Sequence, residues 1–436
     1  MVSIENIKIV LINIESNTER VKRQFSPPFG ILVAASVLRK QNIDVSIKHI
    51  IEDDKIENTL FSICQGAFAV GFSTMTSSNL LPTIRATKYV KSLGLYTFWG
   101  GIHATLLPEL SLKEPSLDAV LRGEAESNLY QFVLWRLGKI DSNSVKGLCF
   151  KKNIGDIIVS DIPLPVAENE LSFHSFDLLD LTAYYEKDNL DSSKKNFIDK
   201  KMLPYMTSKG CNKKCTFCYN SVVNKCIWRG YQIDNVFSEM DWLIDNHGIE
   251  GWLFYDDNFF VNSNRAWQII ERYKMSSFIE IDLMKLSTKF IERAKKANID
   301  KLFIGIESGS DEVLKHIKKG ITSKLIREKV ELCSKHNMNI ELSFMMLFPS
   351  ETVDNLRKTF DLVDELSLYD NVSIAGPKIY NPYPGTSMYN DLLMSGWSVP
   401  ATNEEWSKFE RNISPTETGF NLSDKHLELL KSRGLV

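Results

Sequence analysis

The sequence lacks the features of several protein classes. No apolar run approaches the ~18 residues of a membrane-spanning helix, so we expect no membrane span. The first residues show no basic segment followed by a long apolar run, which predicts no secretory signal and a cytoplasmic location. The net charge is only −3, from 52 Lys and Arg against 55 Asp and Glu. This near-neutral balance argues against a nucleic-acid partner.

Cysteine is scarce and unevenly distributed. The 436 residues include seven cysteines, and an odd number without an export signal argues against a disulfide framework. Three of the seven fall within eight residues, which points to a shared site. The cysteines are Cys64, Cys149, Cys211, Cys215, Cys218, Cys226 and Cys333.

Residues 1–145 alternate between short apolar runs and amphipathic stretches. This alternation predicts an α/β domain, flavodoxin-like or Rossmann-like, with a parallel sheet between helices. Ligands of such domains bind beyond the carboxyl ends of the strands. The predicted strands are Ile7–Asn13, Asp44–His49, Phe68–Met75, Tyr96–Trp99 and Asp118–Leu121. The predicted helices are Gly30–Lys40, Leu80–Leu93 and Ala125–Leu137.

A second alternating series occupies residues 201–390. Six successive strand–helix units predict a partial (β/α)6 barrel, with its chemistry on the loops that follow the strands. Residues 146–200 between the two series are predicted to form a hairpin and an interdomain linker, and residues 391–436 a short C-terminal tail. The predicted strands are Leu203–Ser208, Gly251–Tyr255, Phe278–Lys285, Lys301–Glu307, Asn339–Leu347 and Asn371–Tyr380.

The clustered cysteines form a C-x3-C-x2-C loop directly after the first strand of the second series. Thiolates hold iron–sulfur clusters, and three cysteines leave one iron of a four-iron cluster open for a ligand. A zinc site is the alternative. Structural zinc usually takes four ligands, and the one further thiol nearby is Cys226.

This loop, with Phe217 before its last cysteine, resembles the signature of the radical S-adenosylmethionine (SAM) superfamily. The resemblance implies that Cys211, Cys215 and Cys218 bind a 4Fe–4S cluster. The open iron would be chelated by the amino and carboxylate groups of SAM, which is then cleaved to methionine and a 5′-deoxyadenosyl radical. Phe217 and Tyr219, on either side of Cys218, are assigned to cofactor binding.

Acidic residues at two later strand ends are candidates for binding SAM. Asp256 and Asp257 follow the second strand, and their carboxylates are suitable acceptors for the SAM ammonium group. Capping of the next helix is the alternative for Asp257 or Asn258. Glu307 ends the fourth strand and is predicted to contact the ribose or amino-acid part of SAM, because a buried unpaired acid is costly.

Strand-end motifs of the first domain also form a pattern. They are Pro27-Pro28-Phe29-Gly30, Gly71-Phe72-Ser73-Thr74-Met75-Thr76, Gly100-Gly101-Ile102-His103 and Arg122-Gly123-Glu124. The pattern resembles the cobalamin-binding domain fused to many radical SAM enzymes. An empty flavodoxin-like fold is the alternative. The residues predicted to bind cobalamin are Ser73, Thr74, Thr76, Gly100, Gly101, His103, Gly123 and Glu124.

One departure from other cobalamin proteins concerns the cobalt ligand. The D-x-H-x-x-G pattern, which supplies a lower cobalt ligand in several other cobalamin enzymes, is absent from the chain. We therefore expect cobalamin to bind without a protein histidine on cobalt. His103 is interpreted as a contact to the pocket wall or to the cobalamin tail.

The two resemblances together imply a cobalamin-dependent radical SAM enzyme. The favoured activity is methyl transfer from methylcobalamin to an unactivated carbon, after hydrogen abstraction by the 5′-deoxyadenosyl radical. Cyclisation, oxidation or rearrangement without methyl transfer is the first alternative, and a zinc-stabilised, non-enzymatic binding module is the second. Expected partners are a small-molecule or peptide substrate and an electron donor such as a flavodoxin or ferredoxin. No catalytic residue is assigned.

Overall fold

The computed structural model describes residues 7–18, 26–77, 79–153, 156–185, 200–409 and 413–436. The chain divides into two units. The first comprises Met1–Tyr184 and Pro400–Glu410, and the second comprises Tyr185–Val399 and Arg411–Val436. Part of the predicted C-terminal tail thus groups with the first unit, while residues 186–199 of the predicted linker lie outside the described residues. Within the described ranges, no helix combines the length and apolar content needed to span a bilayer.

The first unit alternates strands and helices as predicted. Its strands are β1 (Lys8–Glu15), β2 (Asp44–Ile51), β3 (Ala67–Ser73), β4 (Thr97–Gly100), β5 (Ala119–Leu121), β6 (Leu148–Asn153) and β7 (Asp156–Ile158). Its helices before the linker are α1 (Phe29–Arg39), α2 (Ile56–Cys64), α3 (Leu80–Ser92), α4 (Ile102–Leu106), α5 (Pro108–Leu112), α6 (Ala125–Arg136) and α7 (Thr182–Tyr185), of which the last crosses into the second unit.

The sheet of the first unit has the order β2-β1-β3-β4-β5-β6-β7. Strands β1 to β5 are parallel, in the flavodoxin-like order 2-1-3-4-5, and the β6–β7 hairpin extends the sheet in antiparallel fashion. The strand order reverses between β1 and β3, and open sheets of this kind bind ligands beyond the strand ends at such a point. The fold predicted for this domain is confirmed.

The second unit has eight strands among its described residues. They are β8 (Met202–Tyr205), β9 (Ser208–Lys209), β10 (Arg229–Gly230), β11 (Gly251–Phe254), β12 (Ser276–Glu280), β13 (Ile299–Glu307), β14 (Asn339–Met346) and β15 (Val372–Ile379). The remaining helices of the chain are α8 (Asn220–Val223), α9 (Ile233–His247), α10 (Ser263–Tyr273), α11 (Thr288–Lys296), α12 (Asp311–His316), α13 (Ser323–Lys335), α14 (Val353–Leu366), α15 (Ser387–Met394), α16 (Asn403–Trp406, in the first unit) and α17 (Asp424–Ser432).

Six of these strands form one parallel sheet in the order β15-β14-β13-β12-β11-β8, which is the predicted partial barrel. Four of the six predicted strands agree with those observed to within two residues at each end, and two do not. The first, Leu203–Ser208, is divided into β8 and the short β9, which pairs with β10. The third was expected to reach Lys285 but ends at Glu280, because Asp282 caps the turn that follows through the Met284 amide (3.1 Å).

The turn after β14 buries a carboxyl group. Glu351 accepts a hydrogen bond from the Phe348 amide (3.2 Å) through Oε2, while its buried Oε1 has no hydrogen-bond partner. The carbonyl oxygen of the same residue lies 3.1 Å from Nε2 of His426 in α17. Burial raises the pKa of Glu351 to about 7, although backbone hydrogen bonds oppose the shift. Burial in this turn therefore favours the neutral, protonated form of the Glu351 carboxyl group.

We expect the Glu351 carboxyl group to make the protein less stable as pH rises. Its pKa is higher in the folded chain, at about 7, than its ordinary value of 4.5, so the folded chain holds the proton more tightly. The resulting stabilisation is complete below pH 4.5 and is lost as pH rises through about 7, by about 3 kcal/mol at most. Urea unfolding across this range measures the effect. Glu351→Gln should remove it, whereas Glu428→Gln, at an exposed position of α17, should not. Parallel pH profiles for wild type and Glu351→Gln would contradict this assignment.

Candidate functional site

Asp256 ties the end of β11 to the segment that enters the cysteine loop. Its fully buried carboxylate accepts hydrogen bonds from the Thr207 amide (3.1 and 3.2 Å), from Thr207 Oγ1 (2.7 Å) and from the Ser208 hydroxyl. Arg265 supports the same segment by donating to Thr207 Oγ1 (3.1 Å) and to the Thr207 carbonyl (2.8 Å). Burial raises the pKa of Asp256, and these hydrogen bonds oppose the shift. The carboxylate oxygens of Asp256 therefore accept hydrogen bonds from the segment that leads into the cysteine loop.

Asp257 holds the next part of the loop. Its Oδ2 accepts a hydrogen bond from the Gly210 amide at 3.0 Å, directly before the first cysteine. The side chains of Asn220 and Tyr219 also hydrogen-bond to this carboxylate, and the nearby charge of Asp257 raises the pKa of Tyr219. Asp257 therefore connects both ends of the cysteine loop to the barrel.

Asn258 completes a series in which three consecutive residues contact successive parts of the loop. Its Nδ2 lies 3.9 Å from the Cys211 sulfur, while its buried Oδ1 has no hydrogen-bond partner. Neither Asp257 nor Asn258 caps α10, because that position belongs to Asn262, which accepts from the Arg265 amide (3.2 Å). The capping alternative is therefore wrong, and the Asn258 oxygen is left as a free acceptor.

Glu307 forms an ion pair beside the second cysteine of the loop. Its Oε1 lies 2.8 Å from Lys319 Nζ, and both side chains are largely buried. A Cβ at position 305 would overlap Glu307 and lie 2.8 Å from Lys319 Nζ, so Gly305 leaves room for the pair. Burial opposes the charge of Lys319, but Glu307 and the Cys215 thiol together raise its pKa.

Glu280 is a further acid that the sequence analysis missed. It ends β12 and therefore lies at the carboxyl edge of the sheet, as Asp257 and Glu307 do. Burial, with a contribution from Asp257, raises its pKa to about 8, whereas Lys319 acts in the opposite direction. We expected this strand to continue to Lys285, which would place Glu280 inside the sheet and away from its carboxyl edge. Lys319 carried no sequence signal, because its partner Glu307 is twelve residues away.

Further contacts hold the middle of the loop. The Thr216 amide donates to the Ile317 carbonyl (3.1 Å), and Lys213 forms an ion pair with Asp282. The rings flanking Cys218 also pack against later turns. Phe217 lies 5.8 Å from Phe348, and Tyr219 lies 5.6 Å from Tyr383, measured between ring centroids.

The three loop thiols lie close enough to influence one another's pKa. Burial raises the pKa of each thiol, to about 12 for Cys218, so each stays protonated until a metal replaces the proton. In the described part of the chain, no three His, Cys, Asp or Glu side chains converge on a position for a single metal ion. An iron–sulfur cluster does not require that convergence, because each cysteine binds a different iron.

The predicted cobalamin residues of the first unit lie at the ends of β3 and β4. Ser73 pairs with Gly100, and both are half-buried at the carboxyl edge of the sheet. Thr74 Oγ1 donates to the Gly100 carbonyl (2.7 Å). Gly101 has a φ of +89°, and a Cβ there would overlap the Thr74 backbone. Only glycine allows the two strand ends to approach this closely.

The other predicted residues of this unit are engaged within it. Thr76 Oγ1 lies 2.9 Å from Nδ1 of the fully buried His103. Gly123 donates from its amide to Thr105 Oγ1 (3.1 Å), and Glu124 accepts from the Val166 amide (2.9 Å). The structure thus brings the β3 and β4 ends together, and Gly123 and Glu124 follow the neighbouring strand β5.

Comparison with known proteins agrees with both halves of this description. Residues 21–133 match the B12 binding domain, and residues 205–363 match the Radical SAM superfamily. The chain therefore combines a radical SAM domain with a B12-binding domain. The predicted family, its enzymatic nature and its three cofactors (a 4Fe–4S cluster, SAM and cobalamin) are confirmed.

Relatives of this radical SAM enzyme include proteins named for different reactions. An uncharacterized methyltransferase of Pyrococcus horikoshii is 29% identical over 94% of this chain and 89% of its own length. An anaerobic magnesium-protoporphyrin IX monomethyl ester cyclase of Synechocystis is 23% identical over 85% of this chain and 74% of its own. The radical SAM methyltransferase TsrM of Kitasatospora setae, solved with cobalamin and a 4Fe–4S cluster, superposes with a TM-score of 0.68 at 14% identity, covering 90% of this chain and 76% of its own.

We expect Asp256→Ala to destabilise the protein and to impair cluster loading. The change leaves buried donors of Thr207 and Ser208 unpaired, which should cost about 3 kcal/mol in the free energy of unfolding. Urea unfolding of the apoprotein and iron per chain after anaerobic reconstitution measure the two effects. Asp241→Ala is the control, because the partners of its carboxylate, Arg272 and the Tyr273 hydroxyl (2.8 Å), are at least partly exposed and can hydrogen-bond to water instead. Normal iron content in Asp256→Ala would contradict the anchoring role.

Proposed function

We propose that this radical SAM enzyme is a cobalamin-dependent methyltransferase that acts on an unactivated carbon. The observation that carries the proposal is the presence, in one chain, of a braced three-cysteine loop and a flavodoxin-like sheet that matches the B12 binding domain. The relative named a methyltransferase aligns across both of these regions. When bound, the cluster and SAM supply the radical chemistry that removes a hydrogen atom, and cobalamin supplies the methyl group.

The chain's own residues bind and position these cofactors. We assign Cys211, Cys215 and Cys218 to the cluster. The free Oδ1 of Asn258 is buried beside Cys211 and is suited to accept from the SAM ammonium group. Asp257 adds negative charge at the same strand end, whereas Asp256 acts by holding the loop rather than by touching SAM.

Several other residues contribute to the same two sites. Glu307 and Lys319 present an acceptor and a cation beside Cys215, which suits the ribose or amino-acid part of SAM. Phe217 and Tyr219 hold the last cysteine against later turns of the barrel. In the first unit we assign cobalamin contacts to the β3, β4 and β5 ends. These residues are Ser73, Thr74, Thr76, Gly100, Gly101, Gly123 and Glu124, and the fully buried His103 belongs to the wall behind them.

A radical reaction without methyl transfer is the second candidate. It is favoured by the relative named a cyclase, which aligns with most of this chain. Three predictions apply to both candidates. The substrate is a small molecule or a peptide, the electron donor is a flavodoxin or a ferredoxin, and the location is cytoplasmic. The two candidates differ in their products, which makes them separable.

We expect Cys211→Ala, Cys215→Ala and Cys218→Ala each to abolish formation of 5′-deoxyadenosine, because each removes a cluster ligand. Reconstituted proteins would be assayed anaerobically with a chemical reductant and SAM. Cys226→Ala is the control and should keep both iron content and 5′-deoxyadenosine formation. Cleavage of SAM at the wild-type rate by any of the three variants would refute the cluster assignment, and loss of iron in Cys226→Ala would mean that Cys226 also binds the cluster. Wild-type protein that holds zinc and no iron would support the zinc alternative.

With a substrate, we expect 5′-deoxyadenosine and S-adenosylhomocysteine to form in equal amounts. One SAM is used for hydrogen abstraction and a second supplies the methyl group. Chromatography of both products, with and without added hydroxocobalamin, measures the ratio. Formation of 5′-deoxyadenosine without S-adenosylhomocysteine would exclude methyl transfer and favour the cyclase-like candidate.

A further inference from the structure

A chain of hydrogen bonds links the C-terminal segment of the first unit to the loop after β3. His103 is fully buried, and each of its ring nitrogens has a partner. Nδ1 lies 2.9 Å from Thr76 Oγ1, and Nε2 lies 3.0 Å from Asn403 Oδ1. Asn403 in turn donates from Nδ2 to the Leu110 carbonyl at 3.3 Å. Four residues distant in sequence therefore form one connected series.

Chemistry fixes the direction of every bond in this series. A carbonyl oxygen only accepts, so the Asn403 amide nitrogen must face Leu110 and its Oδ1 must face His103. That oxygen in turn requires a proton on Nε2 of His103. Burial lowers the pKa of His103 to about 4, so the ring is neutral near pH 7 and Nδ1 accepts from the Thr76 hydroxyl. Each residue therefore has one orientation that satisfies its neighbours.

The segment that supplies Asn403 is packed firmly in the first unit. Helix α16 packs against α3, and Trp406 is fully buried with its ring 5.5 Å from that of Phe409. Thr402 begins the helix by accepting from the Glu405 amide (3.1 Å). The position of Asn403 is therefore set by the packing of its own helix and is independent of the β3 loop.

The opposite end of the series controls an exposed loop. Thr74 and Thr76 are both buried, Thr74 through its bonds to Gly100 and Ala104 and Thr76 through His103. Met75 between them is 52% exposed. Two buried anchors thus hold an apolar side chain outward at the carboxyl edge of the sheet, next to the point where the strand order reverses. Loss of either anchor would free the loop.

We propose that Asn403, acting through His103, is a positioning residue that holds the loop at residues 74–77 in its cobalamin-binding conformation. The inference rests on the assignment of cobalamin to this sheet edge and is independent of methyl transfer. If the loop is competent for only a fraction of the time, the apparent affinity for cobalamin falls by that fraction. The effect of breaking the series is therefore visible in binding alone.

The test measures hydroxocobalamin binding to the full-length apoprotein by equilibrium dialysis. Asn403→Leu removes the acceptor for Nε2 at nearly constant volume, and we expect the Kd to rise about tenfold. Asn403→Asp keeps an acceptor for Nε2 but places a second acceptor against the Leu110 carbonyl, so it should bind hydroxocobalamin more tightly than Asn403→Leu although it lowers stability. Ser407→Ala is the matched control, because this buried hydroxyl donates only to Glu404 near the same helix (2.6 Å).

An equal Kd for wild type, Asn403→Leu and Ser407→Ala would overturn the proposal, even if Asn403→Leu melted at a lower temperature. Asn403 would then be only a structural brace. Absence of hydroxocobalamin binding by wild type would also overturn it. Normal binding without methyl transfer would instead contradict only the proposed function.

A second measurement on wild type does not depend on whether Asn403→Leu folds. Nitrogen NMR of the histidine rings should show neutral His103 with its proton on Nε2, identified as the signal that shifts in Asn403→Asp. A proton on Nδ1 would overturn the proposed direction of the series, because Nε2 would then have no proton to donate to Asn403.

Discussion

The cysteine loop depends on one buried carboxylate. Asp256 accepts every hydrogen bond that Thr207 and the Ser208 hydroxyl direct toward β11, and the loop begins directly after this segment. Within the loop, the Cys218 amide donates to the Cys215 carbonyl (3.3 Å), and contacts with the barrel hold other parts of its path. Asp257 and Asn258 continue these contacts to Gly210 and Cys211. The end of β11 thus holds the first part of the loop, and later turns of the barrel hold its middle and its end.

The fold was accessible from sequence because its signals are local. Apolar runs alternating with amphipathic stretches are visible in a single chain, and both parallel sheets agree with them. The end of β12 at Glu280 was not accessible from the sequence. The turn that follows this strand is capped by the Asp282 side chain, within a stretch that is mostly apolar. The error concealed an acid of the site, since a residue's place at the carboxyl edge depends on where its strand ends.

The candidate site was accessible only in part. Cysteine spacing identified Cys211, Cys215 and Cys218 as a group because their relation lies within eight residues. The partners of the acidic side chains could not be predicted from the sequence. Glu307 pairs with Lys319, and Asp256 accepts from Thr207, and both pairs form only in the folded chain. The same limit applies to His103 in the first unit, whose partner Asn403 is 300 residues away. Hydrogen bonds of this range leave no periodic trace in a sequence.

The return of residues 400–410 to the first unit has a consequence for folding. During synthesis the ribosome releases the six strands of the barrel before it releases Trp406, which is fully buried and lies in a helix that packs against α3. The N-terminal domain therefore lacks the helix that packs against α3 until the residues that follow the barrel have been made. A fragment ending at Tyr184 would keep every strand of its sheet and would still expose the apolar surface that Trp406 covers.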